Sequence, residues 1–214
     1  MMSESRTPVS VDFWFDAVCP WTWLTSRWIL EVQKIRPVSV TWHVMSLSVL
    51  NEGRMDELPP QNRELMDQAW APARVLTAAE EEFGPRVLEP LYTALGTRYH
   101  PRQQDKTRAT IEAALREVGL PERLAEAGES DAYDQALRQS HGEGIALVGQ
   151  QVGSPIIAVP GPEGDDKTAF FGPVVTPSPT GEEAGRLWDG TLAVTSVSGF
   201  YEIKRGRTVG PIFD

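Results

Sequence analysis

The 214-residue chain has one cysteine, Cys19, so no disulfide can close within it and a disulfide-stapled scaffold is excluded. Positive charge is also scarce: 20 Lys+Arg face 30 Asp+Glu, for a formal net charge of −10. Nucleic-acid binding draws its affinity from basic patches that release phosphate counterions, and this acidic balance argues against it. No apolar run approaches the roughly 18 residues of a membrane span, so no membrane association is expected. The opening residues, MMSESRTPVSVD, carry neither a basic head nor an apolar stretch. A secretory leader is therefore not expected, and a cytoplasmic setting is. There is no glycine-rich phosphate loop or nucleotide fingerprint, so a flavin or nicotinamide is not expected either. The histidines, His43, His100 and His141, are scattered, and with a single Cys they lack metal-ligand spacing; no metal is expected. The 41% hydrophobic content suits a soluble globular chain, which at this length buries about 70% of its unfolded surface.

Hydrophobic periodicity divides the chain into three parts. In residues 9–15, Val9, Val11, Phe13 and Phe15 alternate along one side of a strand. Trp14 between them suggests that the other face is covered too, as for an interior strand. Beyond Cys19-Pro20, Trp21, Leu24, Trp28, Val32 and Ile35 recur at helical spacing until Arg36-Pro37. Val38, Val40, Trp42 and Val44 then alternate as a second strand, completing a βαβ unit. From about residue 60 to 145 the pattern is helical, punctuated by Pro72, Gly84-Pro85, His100-Pro101, Gly119 and Pro121. Residues 156–159 and 168–171 read as a hairpin joined by a Pro/Gly/Asp-rich turn over 160–166. A helix follows from Thr180, and a short C-terminal helix is expected around 200–203. The order βαβ, helices, ββα describes an α/β sheet domain (8–48 and 146–214) interrupted by an all-helical insertion (49–145).

The segment Cys19-Pro20-Trp21-Thr22 lies between the first strand and the first helix. Pro at the first helical position sacrifices an N–H that has no intrahelical partner. A thiol there faces unpaired backbone N–H groups and the positive end of the helix dipole, so its pKa is expected below the free value of about 8.5. Thr22, three residues on, can turn its hydroxyl toward the sulfur. A buried structural Cys is the competing reading. Among the tryptophans, Trp28 and Trp42 read as core, whereas Trp21 and Trp23 beside the thiol are divided between core and the wall of an aromatic cleft. The run Glu80-Glu81-Glu82 reads as a solvated helix face.

Residues 11–23, VDFWFDAVCPWTW, resemble the active-site segment of the thioredoxin superfamily, in its DsbA-like branch with a helical insertion. The chain is similar, more closely, to the mycothiol-dependent nitroreductases through FWFDxxCPW, VGSP at 152–155, AFFGPV at 169–174 and GEEAGRLWD at 181–189. The resemblance implies a thioredoxin-like fold with Cys19 as the nucleophile. It places Ser154-Pro155 in the cis-proline loop facing the thiol, where bound thiol substrates pair with the backbone as an added strand. It also implies mycothiol, a low-molecular-weight thiol, as co-substrate, and an electrophilic aromatic small molecule as the compound reduced.

One departure from that pattern stands out. Thr22 occupies the place of the resolving cysteine, so exchange would stop at a mixed disulfide that a second thiol, or a thiol reductase, must release. The expected site is therefore Cys19 and Thr22 as catalytic residues, with Pro20, Trp21, Trp23, Ser154 and Pro155 binding substrate. Two other readings stay open: a relative of the kappa-class glutathione transferases and isomerases, and a non-catalytic thioredoxin-fold binding module. Oligomeric state is open as well.

Overall fold

The computed structural model describes residues 7–161 and 166–213. Residues 1–6 and the middle of the expected 160–166 turn lie outside those residues. Strand β1 (Val9–Phe15) leads to helix α1 (Pro20–Ile35) and strand β2 (Val38–Val44). Helices α2 (Leu47–Asn51), α3 (Pro60–Phe83), α4 (Leu88–Tyr99), α5 (Arg108–Glu117) and α6 (Asp134–Val148) follow, with three short 3-10 turns among them. Strands β3 (Ile156–Pro160) and β4 (Lys167–Phe171) and helix α7 (Gly181–Thr195) complete the order. The fold is thioredoxin-like, a four-stranded mixed sheet dressed with helices. No described helix is long and apolar enough to cross a membrane.

The sheet order is β2-β1-β3-β4, with β1 parallel to β2 and antiparallel to β3. Alternation assigns the two faces of β1. Val11, Phe13 and Phe15 are fully buried on one face, where Phe13 meets Trp42 at 4.8 Å and Phe15 meets Tyr92 of α4 at 4.2 Å between ring centroids. Trp14 points to the other face and belongs to a second apolar cluster with Met45, Ile145, Ile156 and Ala158. It stacks on His43 and donates its indole N–H to the Ser140 carbonyl of α6. Both faces are thus covered, as the interior-strand pattern predicts. Trp28 and Trp42 are core; Trp28 donates to the Ala184 carbonyl and so ties α1 to α7.

Three elements differ in detail from the sequence pattern. Helix α3 runs straight through Pro72, because the buried stretch around Ala73, Val75, Leu76 and Ala79 continues on the same face. That packing offsets the lost backbone hydrogen bond at the proline. Helix α6 passes through residue 146, where the periodicity divides sheet domain from helical insertion. The short helix expected around 200–203 does not form: among the described residues no helix or strand follows Thr195. Gly199, Gly206 and Gly210 interrupt that stretch, and Gly199 sits at φ +83°, outside the helical region. Gly119, by contrast, ends α5 as its position suggests. At φ +73° it donates to Arg116 O while Leu120 donates to Leu115 O, the paired bonds of a Schellman cap.

Helix α4 approaches α1 closely enough to require a glycine. A Cβ on Gly96 would stand 2.3 Å from the Trp23 ring. Gly96→Ala should therefore destabilise the chain by about 1–3 kcal/mol through overpacking. Gly142→Ala, on the exposed side of α6 with open space around it, should instead stabilise by about 0.5–1 kcal/mol through helix propensity. Denaturant unfolding of the two variants checks both signs; equal effects would mean that Gly96 is not a packing requirement.

Candidate active site

The thiol end of the sheet is where three chain segments converge. Cys19 caps the N-terminus of α1, with Pro20 in its first turn. The Ser154-Pro155 peptide is cis and leads into β3. Cys19 Sγ donates to the Ser154 carbonyl across 3.6 Å. Thr22 is fully buried, and its hydroxyl lies 2.5 Å from Ser154 Oγ, which also accepts the Asp16 N–H. The same Thr22 hydroxyl favours the thiolate of Cys19. Cys19, Thr22, Ser154 and Pro155 are thus brought together as the motif implies.

The two tryptophans beside the thiol differ. Trp21 is half-buried at the mouth, with the Arg207 guanidinium 4.7 Å above its ring. Trp23 is only 6% exposed. Its ring is enclosed by Gly96, Tyr92 and His100 of the helical part, and Arg27 lies 4.1 Å over one face. Trp23 therefore packs α1 against α4, and only its edge is exposed, toward a cavity it lines with Leu24, Arg27 and Phe213. Pro20 is half-buried beside the thiol.

The expected low thiol pKa is not found. Burial pushes the Cys19 thiol above its ordinary range, and the nearby Asp16 carboxylate adds to the rise. The Thr22 hydroxyl and the N–H groups of Thr22 and Trp21 oppose it without reversing it. Magnitudes explain the outcome. A helix terminus is worth about 0.3–1 kcal/mol, less than one pKa unit, whereas full burial moves a pKa by up to about 3–5 units. Among the described residues no group of three or more His, Cys, Asp or Glu is placed to hold a metal ion.

Two residues of this end have no role in the sequence reading, although one of them, Asp16, is the acid of FWFDxxCPW. Asp16 is buried beneath the loop and accepts the N–H groups of Val18 at 2.8 Å and Leu47 at 2.7 Å. Burial raises its pKa to about 6. A lone acid in the otherwise apolar run Phe13-Trp14-Phe15-Asp16-Ala17-Val18 is the signal that could have found it. His100, just beyond α4, donates from Nε2 to the Ala17 carbonyl at 3.0 Å. Burial holds its pKa down at about 4, so it is neutral near pH 7. Nothing local in the sequence marks it.

Residues 18–205 match the Rv2466c-like family, described as mycothiol-dependent nitroreductase Rv2466c. This chain belongs to that family. Its members are thiol-dependent oxidoreductases, and so is this protein. A relative from Mycobacterium tuberculosis, the uncharacterized protein Rv2286c, is 26% identical over 206 residues, covering 93% of this chain and 83% of its own. The cytosolic disulfide reductase DsbM of Pseudomonas aeruginosa superposes with a TM-score of 0.55 at 14% identity, covering 86% of this chain and 98% of its own. The oxidoreductase DsbA of Xylella fastidiosa does so at 0.53 and 15%, covering 88% and 86%. These two likenesses place the fold in the DsbA-like group of thioredoxin structures. Family membership agrees with the order βαβ, helices, ββα.

Two outcomes follow for Cys19 and Asp16. The pH–rate profile for Cys19 alkylation should have its midpoint above the free-thiol value of about 8.5, and Asp16→Asn should move it down by removing the neighbouring charge. A wild-type midpoint near neutral pH would refute the burial argument. Asp16 binds its proton more tightly folded than unfolded, so its stabilising contribution is complete in acid and is lost as pH rises through about 6. Relative to wild type, Asp16→Asn should therefore gain about 2 kcal/mol of unfolding free energy between pH 4.5 and 7.5. Urea unfolding at the two pH values measures it.

Proposed function

We propose that this protein is a monothiol member of its family that reduces electrophilic small molecules, nitroaromatics among them, with mycothiol as co-substrate. The observation that carries the reading is the pairing of Cys19 with the Ser154 carbonyl while Thr22, not a second cysteine, fills the resolving position. Cys19 is the nucleophile. Thr22 and Ser154 form a hydroxyl pair that holds the pre-β3 loop against the thiol and favours the thiolate. Trp21 and Pro20 border the mouth, and Trp21 offers a ring on which an aromatic substrate stacks.

The chemistry balances with one protein thiol. The Cys19 thiol and one co-substrate thiol together give up two electrons and two protons, forming a single S–S bond, and a nitro group is reduced to a nitroso group with loss of water. A second thiolate then attacks the mixed disulfide, the Cys19 S–S bond breaks, and Cys19 leaves as thiolate. A small-molecule thiol or a thiol reductase can supply that second thiolate, consistent with work in a reducing cytoplasm. The residues present suit a thiol co-substrate because the Ser154 loop carries its backbone past the sulfur, the geometry needed for strand-like pairing with a peptide-like thiol. The helical part, 49–145, would set substrate choice and the sheet part thiol chemistry.

Intact mass after incubation with the disulfides of mycothiol, glutathione and coenzyme A tests the choice of thiol. A single mycothiol adduct, absent in Cys19→Ser, is expected; preference for glutathione or coenzyme A would sink the mycothiol assignment. Thr22→Cys should create a dithiol that expels a preformed adduct without added reductant, at least tenfold faster than wild type by effective concentration. Persistence of the adduct would mean that position 22 does not face the sulfur.

A further inference from the structure

The C-terminal stretch after α7 has a placement that the thiol chemistry does not explain. Beyond Phe200, residues 201–210 are exposed and neither helical nor stranded, with Tyr201 94% and Ile203 79% exposed. Among the described residues of that stretch no backbone–backbone hydrogen bond is made. Yet the segment is tied down at both ends of the thiol site. Arg207 lies over Trp21, two residues after Cys19. Phe213 packs 5.6 Å from the His100 ring, and His100 is the group bonded to the carbonyl of Ala17, two residues before Cys19. Between these points the Ile212 N–H donates to Thr176 Oγ1 at 2.8 Å, on the loop whose Pro173 carbonyl accepts from Thr25 of α1.

Each tether is a side-chain contact that can be broken without unpairing a helix or strand. A segment with few buried contacts and no backbone ladder opens at low cost. Arg207 also occupies one face of the Trp21 ring, so a flat aromatic ligand stacking on that face would compete with the guanidinium. Arg207 belongs to a run, Lys204-Arg205-Gly206-Arg207, that concentrates three positive charges in a chain of net −10. In the observed position that cationic run lies beside Trp21, where it suits the electron-rich oxygens of a nitro or carboxylate group.

We propose that the C-terminal segment, residues 201–213, is a displaceable wall of the thiol site, with Arg207 as a specificity-determining residue that holds the face of Trp21 until an aromatic substrate replaces it. The proposal deepens the reading of Cys19 as the reacting group, but its test does not depend on any co-substrate. The probe is iodoacetamide, in which Cys19 sulfur displaces iodide and the thiol proton passes to buffer, followed by intact mass at fixed pH. Arg207 is exposed, so Arg207→Ala leaves the fold intact. It should speed Cys19 alkylation about two- to fivefold, the factor expected from losing one exposed cation–π contact. Phe213→Ala should act in the same direction, and a chain ending at Ser198 should react at least tenfold faster. Arg207→Ala should also raise the affinity of an uncharged nitroaromatic and lower that of one bearing a carboxylate. If the shortened chain does not fold, the two point variants decide alone. Rates equal to wild type in both would overturn the proposal, whereas faster alkylation without any mycothiol adduct would sustain it and refute the assigned thiol.

Discussion

Strand β1 is hydrogen-bonded along both edges, and that double pairing determines what can meet at Cys19. The parallel partner β2 ends where β1 ends, delivering Val44, Met45 and the turn into α2 to the thiol end. The antiparallel partner β3 begins there, with Trp14 opposite Ile156, so the residues just before β3 are forced beside those just after β1. Ser154-Pro155 faces Cys19 for this reason, although 135 residues separate Cys19 and Ser154. Asp16 closes the junction by accepting N–H groups from its own loop and from the start of α2. The cost is a carboxylate held out of water, which its burial-raised pKa records.

The same convergence explains why the thiol is not an exposed, low-pKa cysteine. Three segments packed around one sulfur exclude water, and Pro20 removes one of the N–H groups that would otherwise point at it. What remains in favour of the thiolate is the Thr22 hydroxyl and two backbone N–H groups. They are too few to outweigh desolvation and the nearby Asp16. A protonated resting thiol is therefore a consequence of how tightly the site is assembled. Its reactivity must depend on hydration or on charge brought by the substrate.

Local patterns made the strands, most helices and the place of the thiol legible in the sequence. Alternation in residues 9–15 and 38–44 had only one strand-like solution, and Trp14 correctly signalled a second covered face. The proline rule failed at Pro72 because it considers one hydrogen bond, whereas the buried residues after it continue the α3 face across several turns. The thiol pKa departs from the helix-terminus expectation for a related reason: a helix N-terminus is a local feature, but burial depends on contacts with Ser154 and on the depth of packing at the junction. Sequence alone divides Trp23 between core and cleft because its enclosure depends on Gly96, 73 residues away, whose lack of a side chain has meaning only once α4 lies on α1. No spacing rule connects His100 and Arg207 to Cys19, so local pattern assigns them no role there.

Stability and access are assigned to different kinds of contact in this molecule. The sheet and its two apolar clusters are held by fully buried rings and a complete ladder: Phe13, Phe15, Trp28, Tyr92 and Trp188 are each at most 2% exposed. Such groups bury about 150–250 Å² apiece and open only with global unfolding. The mouth of the thiol site is instead bordered by single contacts from distant parts of the chain, His100 to Ala17 from the end of α4 and Arg207 to Trp21 from the C-terminal stretch. Arg207 is exposed, so breaking its contact leaves the core intact. A rigid sheet can thus fix the sulfur against the Ser154 carbonyl while the surroundings of Trp21 rearrange, so a fixed thiol and a changeable mouth coexist in one fold.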